Sequence, residues 1–185
     1  RGLGDVYKRQ EMGRVIAVTD PSGATVTYTY DEQGNIIALT DPEGNTYHYT
    51  YDLSRRPLSL TDPEGNTITY TYDTRGNLIS RTDAEGNTTT YTYNELNQLE
   101  RIDYPDGGWV NFERDAEGNL LYFKDSQGME VSFTYNTSRK PLTINYLHLG
   151  LTQNYTYDGK GNRLTLTDPY GLTTAYTYDK KGNLL

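Results

Sequence analysis

Large apolar residues alternate with threonine through Thr67-Ile68-Thr69-Tyr70-Thr71-Tyr72, and the same alternation returns down the chain. A period of two marks a strand with two unlike faces, and Thr, Ile and Tyr are strong strand formers. Next comes Asp73-Thr74-Arg75-Gly76-Asn77. Asp at the first turn position and Gly at the fourth predict a type I turn closed through a left-handed glycine, the three-residue hairpin loop. A shorter strand, Leu78-Ile79-Ser80-Arg81-Thr82, follows, and Asp83-Ala84-Glu85-Gly86-Asn87 closes the unit with the same turn chemistry. Elsewhere this second turn reads Asp41-Pro42-Glu43-Gly44 or Asp62-Pro63-Glu64-Gly65. Proline presets the second turn position and lacks a donor that no ladder needs there. No apolar period near 3.6 survives, and Gly, Pro or Asn interrupts every run, so no helix is expected.

The unit recurs. Tyr-Thr-Tyr-Asp stands at Tyr28–Asp31, Tyr49–Asp52, Tyr70–Asp73, Tyr155–Asp158 and Tyr176–Asp179, with near copies at Tyr91–Asn94, Phe112–Asp115 and Phe133–Asn136. The step is 21 residues six times and 22 once. Such self-similarity means a stacked array in which no unit buries its apolar face alone. The repeat signature comprises Tyr28, Tyr30, Asp31 and Gly34; Tyr49, Tyr51 and Asp52; Tyr70, Tyr72, Asp73 and Gly76; Tyr91 and Tyr93; Tyr155, Tyr157, Asp158 and Gly161; and Tyr176, Tyr178 and Asp179. On the returning strand, alternation predicts apolar columns through Ile16, Ile37, Leu58, Ile79, Glu100, Leu121, Leu142 and Leu164, and through Val18, Leu39, Leu60, Arg81, Ile102, Phe123, Ile144 and Leu166, with Glu100 and Arg81 the charged members. One face is then an aromatic–aliphatic mosaic and the other threonine, serine and charge. The fold class is all-β: an antiparallel meander of about eight two-strand repeats. About sixteen strands at ~4.8 Å would make a flat sheet ~75 Å wide, so a curled or spiral sheet, an open segment of a shell, is expected.

Composition narrows the function classes. The net charge of −8 and pI near 4.7 oppose a nucleic-acid partner, which needs a basic face. Cysteine is absent, which excludes disulfides and thiolate metal sites. No run approaches the ~18 apolar residues of a membrane span, and none of these residues is expected to be a signal peptide, which in a fragment says little about the parent protein. Residues 1–10 fit the repeat poorly and resemble translated adapter sequence, so they are expected to be a non-native lead. Residues 11–185 are expected to be the array, cut mid-unit at both ends. Tyr7 nevertheless falls in register with the tyrosine columns.

Candidate chemistry is thin, and no catalytic, metal or cofactor residue is expected. The turn aspartates bear on calcium, but a calcium loop converges five or more oxygens. Each turn here offers one Asp and one Asn, whose structural work is to bond backbone donors. His48 and His148 have no partner at ligand or triad spacing, and His48 is expected on the polar face. No nucleophile elbow or orienting carboxylate supports serine–histidine catalysis. Trp109, the only tryptophan, follows Asp106-Gly107-Gly108. It is read as a core aromatic of a divergent repeat in preference to a sugar-stacking platform. The Asn87, Asn136 and Asn154 sequons arise by chance in a chain this rich in Thr and Asn.

The pattern Tyr-Thr-Tyr-Asp, two residues, Gly-Asn-Leu, four residues and Asp-Pro-x-Gly resembles the bacterial RHS (rearrangement hotspot) or YD-repeat family. Tyr70 to Gly86 fits closely, with Ala84 in place of proline, and Ile102-Asp103-Tyr104-Pro105-Asp106-Gly107 resembles a variant turn. Departures fall at Arg55-Arg56 and Arg139-Lys140, which replace Gly-Asn, and at Tyr146 to Gly150, where the Asp-Pro turn is lost. The resemblance implies a hollow β-shell that encloses a C-terminal toxin domain in secreted polymorphic toxins and insecticidal complexes. Related repeats occur in wall-associated and animal cell-adhesion proteins. It therefore implies a secreted or cell-surface location, with the rest of the shell and an enclosed domain as partners. Family shells also carry a self-cleaving aspartyl site, and Asp168-Pro169-Tyr170-Gly171-Leu172 matches that short string. Three readings stay open: a non-enzymatic shell segment, an adhesion module binding glycan or protein through its tyrosines, and an enzyme fragment acting through Asp168.

Overall fold

The computed structural model describes residues 6–185, in seventeen strands with no helix among the described residues. Arg1 to Asp5, half of the expected lead, lie outside the described residues. The chain forms two compact units, one ending at Thr89 and one spanning Thr90–Leu185. The first holds β1 (Val6–Arg9), β2 (Val15–Thr19), β3 (Thr25–Tyr30), β4 (Ile36–Thr40), β5 (Thr46–Tyr51), β6 (Pro57–Thr61), β7 (Thr67–Tyr72) and β8 (Leu78–Thr82). β9 (Thr88–Tyr93) straddles the division. The second continues with β10 (Leu99–Asp103), β11 (Trp109–Arg114), β12 (Leu120–Asp125), β13 (Glu130–Tyr135), β14 (Pro141–Tyr146), β15 (Leu151–Tyr157), β16 (Arg163–Thr167) and β17 (Thr173–Ala175). Within each unit every strand pairs antiparallel with the next, β1 through β8 and β9 through β17. The lead contributes to this order: β1 pairs with β2, and Tyr7 faces Val18 as Tyr28 faces Leu39.

The turns have the expected chemistry. Gly76 sits at φ 96°, its N–H bonds the Asp73 carbonyl at 3.1 Å, and Asp73 N–H bonds Asn77 O at 2.9 Å. Gly44, in the Asp-Pro turn, sits at φ 90° with the matching pair of bonds. The departures keep the geometry without glycine: Arg55, Asn97 and Arg139 hold φ of 63°, 59° and 61° in the same loop. A left-handed non-glycine residue costs about 1–2 kcal/mol, less for asparagine. Only Tyr146 to Gly150 differs. There Leu147 N–H reaches back to Glu130 O at 2.8 Å, and Leu149 N–H bonds Tyr146 O at 3.0 Å.

The two hairpins of each repeat are not alike. The Tyr-Asp hairpins from β1–β2 to β15–β16 carry a β-bulge next to the turn, as between Thr29 and Tyr30, Thr50 and Tyr51, Thr71 and Tyr72, and Thr156 and Tyr157. The Asp-Pro hairpins pair without one. A bulge sets two residues against one. Tyr30 and Tyr72 therefore face Ile36 and Leu78, the first residue of the returning strand, and the next residue is displaced. This corrects the alternation-based columns: Leu58, Ile79, Leu121 and Leu164 are 37%, 37%, 38% and 39% exposed. The other column pairs directly, with Tyr28 opposite Leu39, Tyr49 opposite Leu60, Phe133 opposite Ile144 and Tyr155 opposite Leu166. Phe123 and Phe133 stack at 6.4 Å. Val131 alone among the described residues is fully buried, so each unit is a single sheet layer without a second layer over its mosaic.

A longer period overlies the repeat. The last residue of the Tyr-Asp turn is a long donor at Arg14, Arg56, Gln98 and Lys140, in steps of 42 residues, and Asn at Asn35, Asn77, Asn119 and Asn162 between them, with a further Asn at Asn183. Each long side chain crosses to the next turn. Arg56 Nη1 donates to Asp73 O at 3.4 Å, Gln98 Nε2 to Asp115 O at 2.8 Å, and Lys140 Nζ to Gly161 O. Arg14 Nη1 lies where a Cβ on Gly34 would stand. Tyr-Asp turns are thus clamped in pairs, and an added Cβ would stand 2.7 Å from the clamp at Gly34 and 2.8 Å at Gly161.

Candidate functional site

Every tyrosine of the signature is half-buried on the mosaic face. The second-column hydroxyls are used: Tyr30, Tyr72, Tyr135 and Tyr178 donate to the carbonyls of Val15, Pro57, Leu120 and Arg163, each 15 residues back, at 2.7–3.0 Å. These bonds tie successive repeats at the bulge, where the ladder is interrupted. Arg14, Arg56 and Lys140 lie over the rings of Tyr30, Tyr72 and Tyr157 at 5.2, 4.7 and 5.5 Å, so the clamps also cover the rings. Burial raises the phenol pKa at Tyr51, Tyr72, Tyr135 and Tyr157, which keeps these hydroxyls protonated.

The turn aspartates look inward on their own loops. Asn77 donates its side-chain amide to Asp73 Oδ2 and its N–H to Oδ1, both at 2.8 Å. The bond from the Asn77 side chain, joined by the backbone N–H, holds the Asp73 carboxyl below its usual pKa. Asp41, Asp62, Asp83, Asp115, Asp158 and Asp179 repeat this with their own Asn. Asp52 differs, bonded by Arg56 N–H and, at 2.6 Å, by the guanidinium. Asp168 takes its place in the same loop chemistry, accepting from Tyr170 and Leu172 N–H at 2.9 Å. Among the described residues no three of His, Asp and Glu converge in a way that could hold a metal ion. None of the helix-free described chain offers a helix long and apolar enough to cross a membrane.

The threonine face is a ladder of paired hydroxyls. Thr19–Thr25, Thr40–Thr46, Thr61–Thr67, Thr71–Ser80 and Thr156–Thr165 bond across strands at 2.6–2.9 Å. His48 stands exposed on it, opposite Ala38 and Thr61, as expected. His148 is also exposed and bonds only the Glu130 backbone, at 3.1–3.3 Å. Strands β10 to β13 of the second unit break the ladder. Trp109 pairs with Asp103, and Asn111 with Arg101, while Val110 between them faces Ile102 on the mosaic. Trp109 is therefore on the polar face, which corrects its reading as a core aromatic. It lies 5.0 Å from the Arg101 guanidinium. Beside it Tyr122 donates a short hydrogen bond to Glu130, with Lys124 3.8 Å from the same carboxylate. That bond to Glu130 pushes the Tyr122 pKa up to about 12.

Three comparisons place this arrangement. The teneurin YD-shell family model matches residues 5–149. The crystal structure of TcdB2–TccC3–Cdc42 matches with a TM-score of 0.77 at 18% identity, over 96% of this chain and 12% of that one. TcdB2–TccC3 without its hypervariable C-terminal region matches at 0.76 and 17% identity, again over 96% and 12%. At such identities the likeness speaks for the fold alone, and the chain spans about an eighth of those structures. No curated protein sequence matches. An in-register array of bulged Tyr-Asp and plain Asp-Pro hairpins, matched by the family model over most of its length, belongs to the teneurin YD-shell family of RHS/YD repeats, whose fold is a structural β-shell.

Proposed function

We propose that the chain is a non-enzymatic segment of a secreted or cell-surface RHS-type shell that encloses a C-terminal toxin or effector domain. The observation that carries this reading is the uninterrupted inward use of its polar groups. Clamps and second-column hydroxyls reach neighbouring strands and turns, and turn carboxylates hold their own loops, as a wall requires. The hypervariable C-terminal region named for TccC3 is consistent with a shell that keeps its wall and exchanges its cargo. Limited proteolysis of the full-length gene product tests it. The region C-terminal to the array should resist protease in the intact protein and become cleavable when the wall is opened by paired Tyr→Ala substitutions at Tyr49 and Tyr70. Equal cleavage in both proteins would overturn enclosure.

One observation favours a second reading, an adhesion module. The tyrosine rings are half-buried, not sealed, so ring area remains for a glycan or protein. Tyr70→Ala separates the two. A structural tyrosine half removed from water should cost about 1.5 kcal/mol, roughly half the loss of a fully buried aromatic. A ligand-binding tyrosine should cost little in urea denaturation but lose binding on a glycan array.

A further inference from the structure

The polar face of the second unit carries a feature that the shell reading does not use. Through β10 to β13 the threonine positions are taken by Arg101, Asp103, Trp109, Asn111, Tyr122 and Glu130. The cross-strand rows are continuous: Arg101 faces Asn111, Asn111 faces Lys124, and Lys124 faces Glu130. The groups are held rigidly. Arg101 Nε bonds both Asp103 oxygens at 2.9 Å and its Nη2 bonds Oδ1 at 2.6 Å, while Nη1 bonds Asn111 Oδ1 at 3.1 Å. This holds the guanidinium against the Trp109 ring and engages Asn111 through its oxygen, leaving donation to its amide nitrogen. Arg101 and Asp103 keep 36% and 42% of their side-chain area in water, and Lys124 and Glu130 keep 44% and 33%.

We propose that this patch is a carbohydrate-binding site for a neutral oligosaccharide laid across β10–β13 against Trp109. A sugar ring offers apolar C–H faces and a rim of hydroxyls that each donate and accept. It is matched by an aromatic plane bordered by fixed planar carboxylate, amide and guanidinium groups. Locked partners reduce the ordering cost of binding. Charge selects the neutral class: Arg101 and Lys124 stand against Asp103, Glu130 and Glu113, which faces Tyr122 across β11–β12, on a chain of net charge −8, which repels acidic glycans. The site is on the face opposite the tyrosine columns and stands independently of both functional readings.

Because Trp109 is the only tryptophan, its fluorescence reports the site directly. The 185-residue chain is titrated with cellohexaose, chitohexaose and maltohexaose, and with heparin as the acidic probe. At least one neutral hexasaccharide should give a saturable change in emission, weakened about tenfold in Asn111→Ala and in Glu113→Gln, each first shown by thermal denaturation to fold. Tyr49→Ala should leave the titration unchanged. No saturable response to any neutral hexasaccharide, a response to heparin alone, or a response that survives Asn111→Ala and Glu113→Gln but is lost in Tyr49→Ala would overturn the proposal.

Discussion

At the residue scale, the turn positions set what a substitution costs. Gly76 holds φ 96°, with Arg56 Nη1 3.3 Å from where its Cβ would stand. Gly76→Val should therefore lose more than about 1 kcal/mol in chemical denaturation, since a β-branched residue is poorly tolerated at positive φ. Arg55, at φ 63°, predicts the opposite sign. Arg55→Gly should gain about 0.5–1 kcal/mol, the relief of left-handed strain less the added freedom of the unfolded chain. A neutral pair would mean the loops are not those described. Acid acts on the same turns. The carboxyls of Asp41, Asp62, Asp73 and Asp83 titrate below their unfolded value of 3.8, so the folded state binds fewer protons than the unfolded state near that pH. Their contribution is complete above about pH 5 and is lost as pH falls through the folded values, below about pH 4. The urea midpoint should hold between pH 7 and 5 and fall steeply from pH 4 to 2. A midpoint indifferent to that fall would remove the carboxylates from the account.

At the element scale, the strand, the turns and the all-β meander were legible because each leaves a signature in residue type: alternation, Asp-x-x-Gly, Asp-Pro. The bulges were not. An extra residue beside the second tyrosine has no composition of its own, and strict counting through Leu58 or Ile79 carries it unseen onto the wrong face. Trp109 was legible and overruled. It is three positions from Phe112, an odd offset that places it opposite the aromatic column, but a lone tryptophan is ordinarily read as core. The 42-residue period was also present, at Arg14, Arg56, Gln98 and Lys140, and was masked by the stronger tetrad. It gives the element-scale prediction. Gln98→Ala removes the donor to the Asp115 carbonyl and should cost about 1 kcal/mol. Amide exchange should quicken in the turn 115–119 more than in the turn 73–77. Equal quickening in both would mean the clamp is incidental.

At the scale of the whole molecule, stability is shared along the ribbon. With Val131 the lone fully buried residue among those described, no repeat owns a core, and each depends on cross-strand pairs with its neighbours. Threonine pairs on one face and tyrosine–aliphatic pairs on the other contribute about 0.2–1 kcal/mol each, so the array gains by number. The turn carboxylates are engaged in holding their own loops together. The patch around Trp109 is the place where that economy is relaxed.

The clamps carry a consequence for how such an array can change length. From Arg14 to Asn162 each long donor in one Tyr-Asp turn reaches a glycine–asparagine turn as its successor, so these turns have parity, odd and even, until the receiving turn at Asn162 is followed by another at Asn183. Losing or gaining a single 21-residue repeat by slipped replication would set Arg56 beside a turn with another long side chain, or leave two receiving turns adjacent. Losing or gaining two preserves every match. Lineages of this array should therefore avoid two donor turns in succession, whereas two receiving turns can follow one another, as Asn162 and Asn183 do.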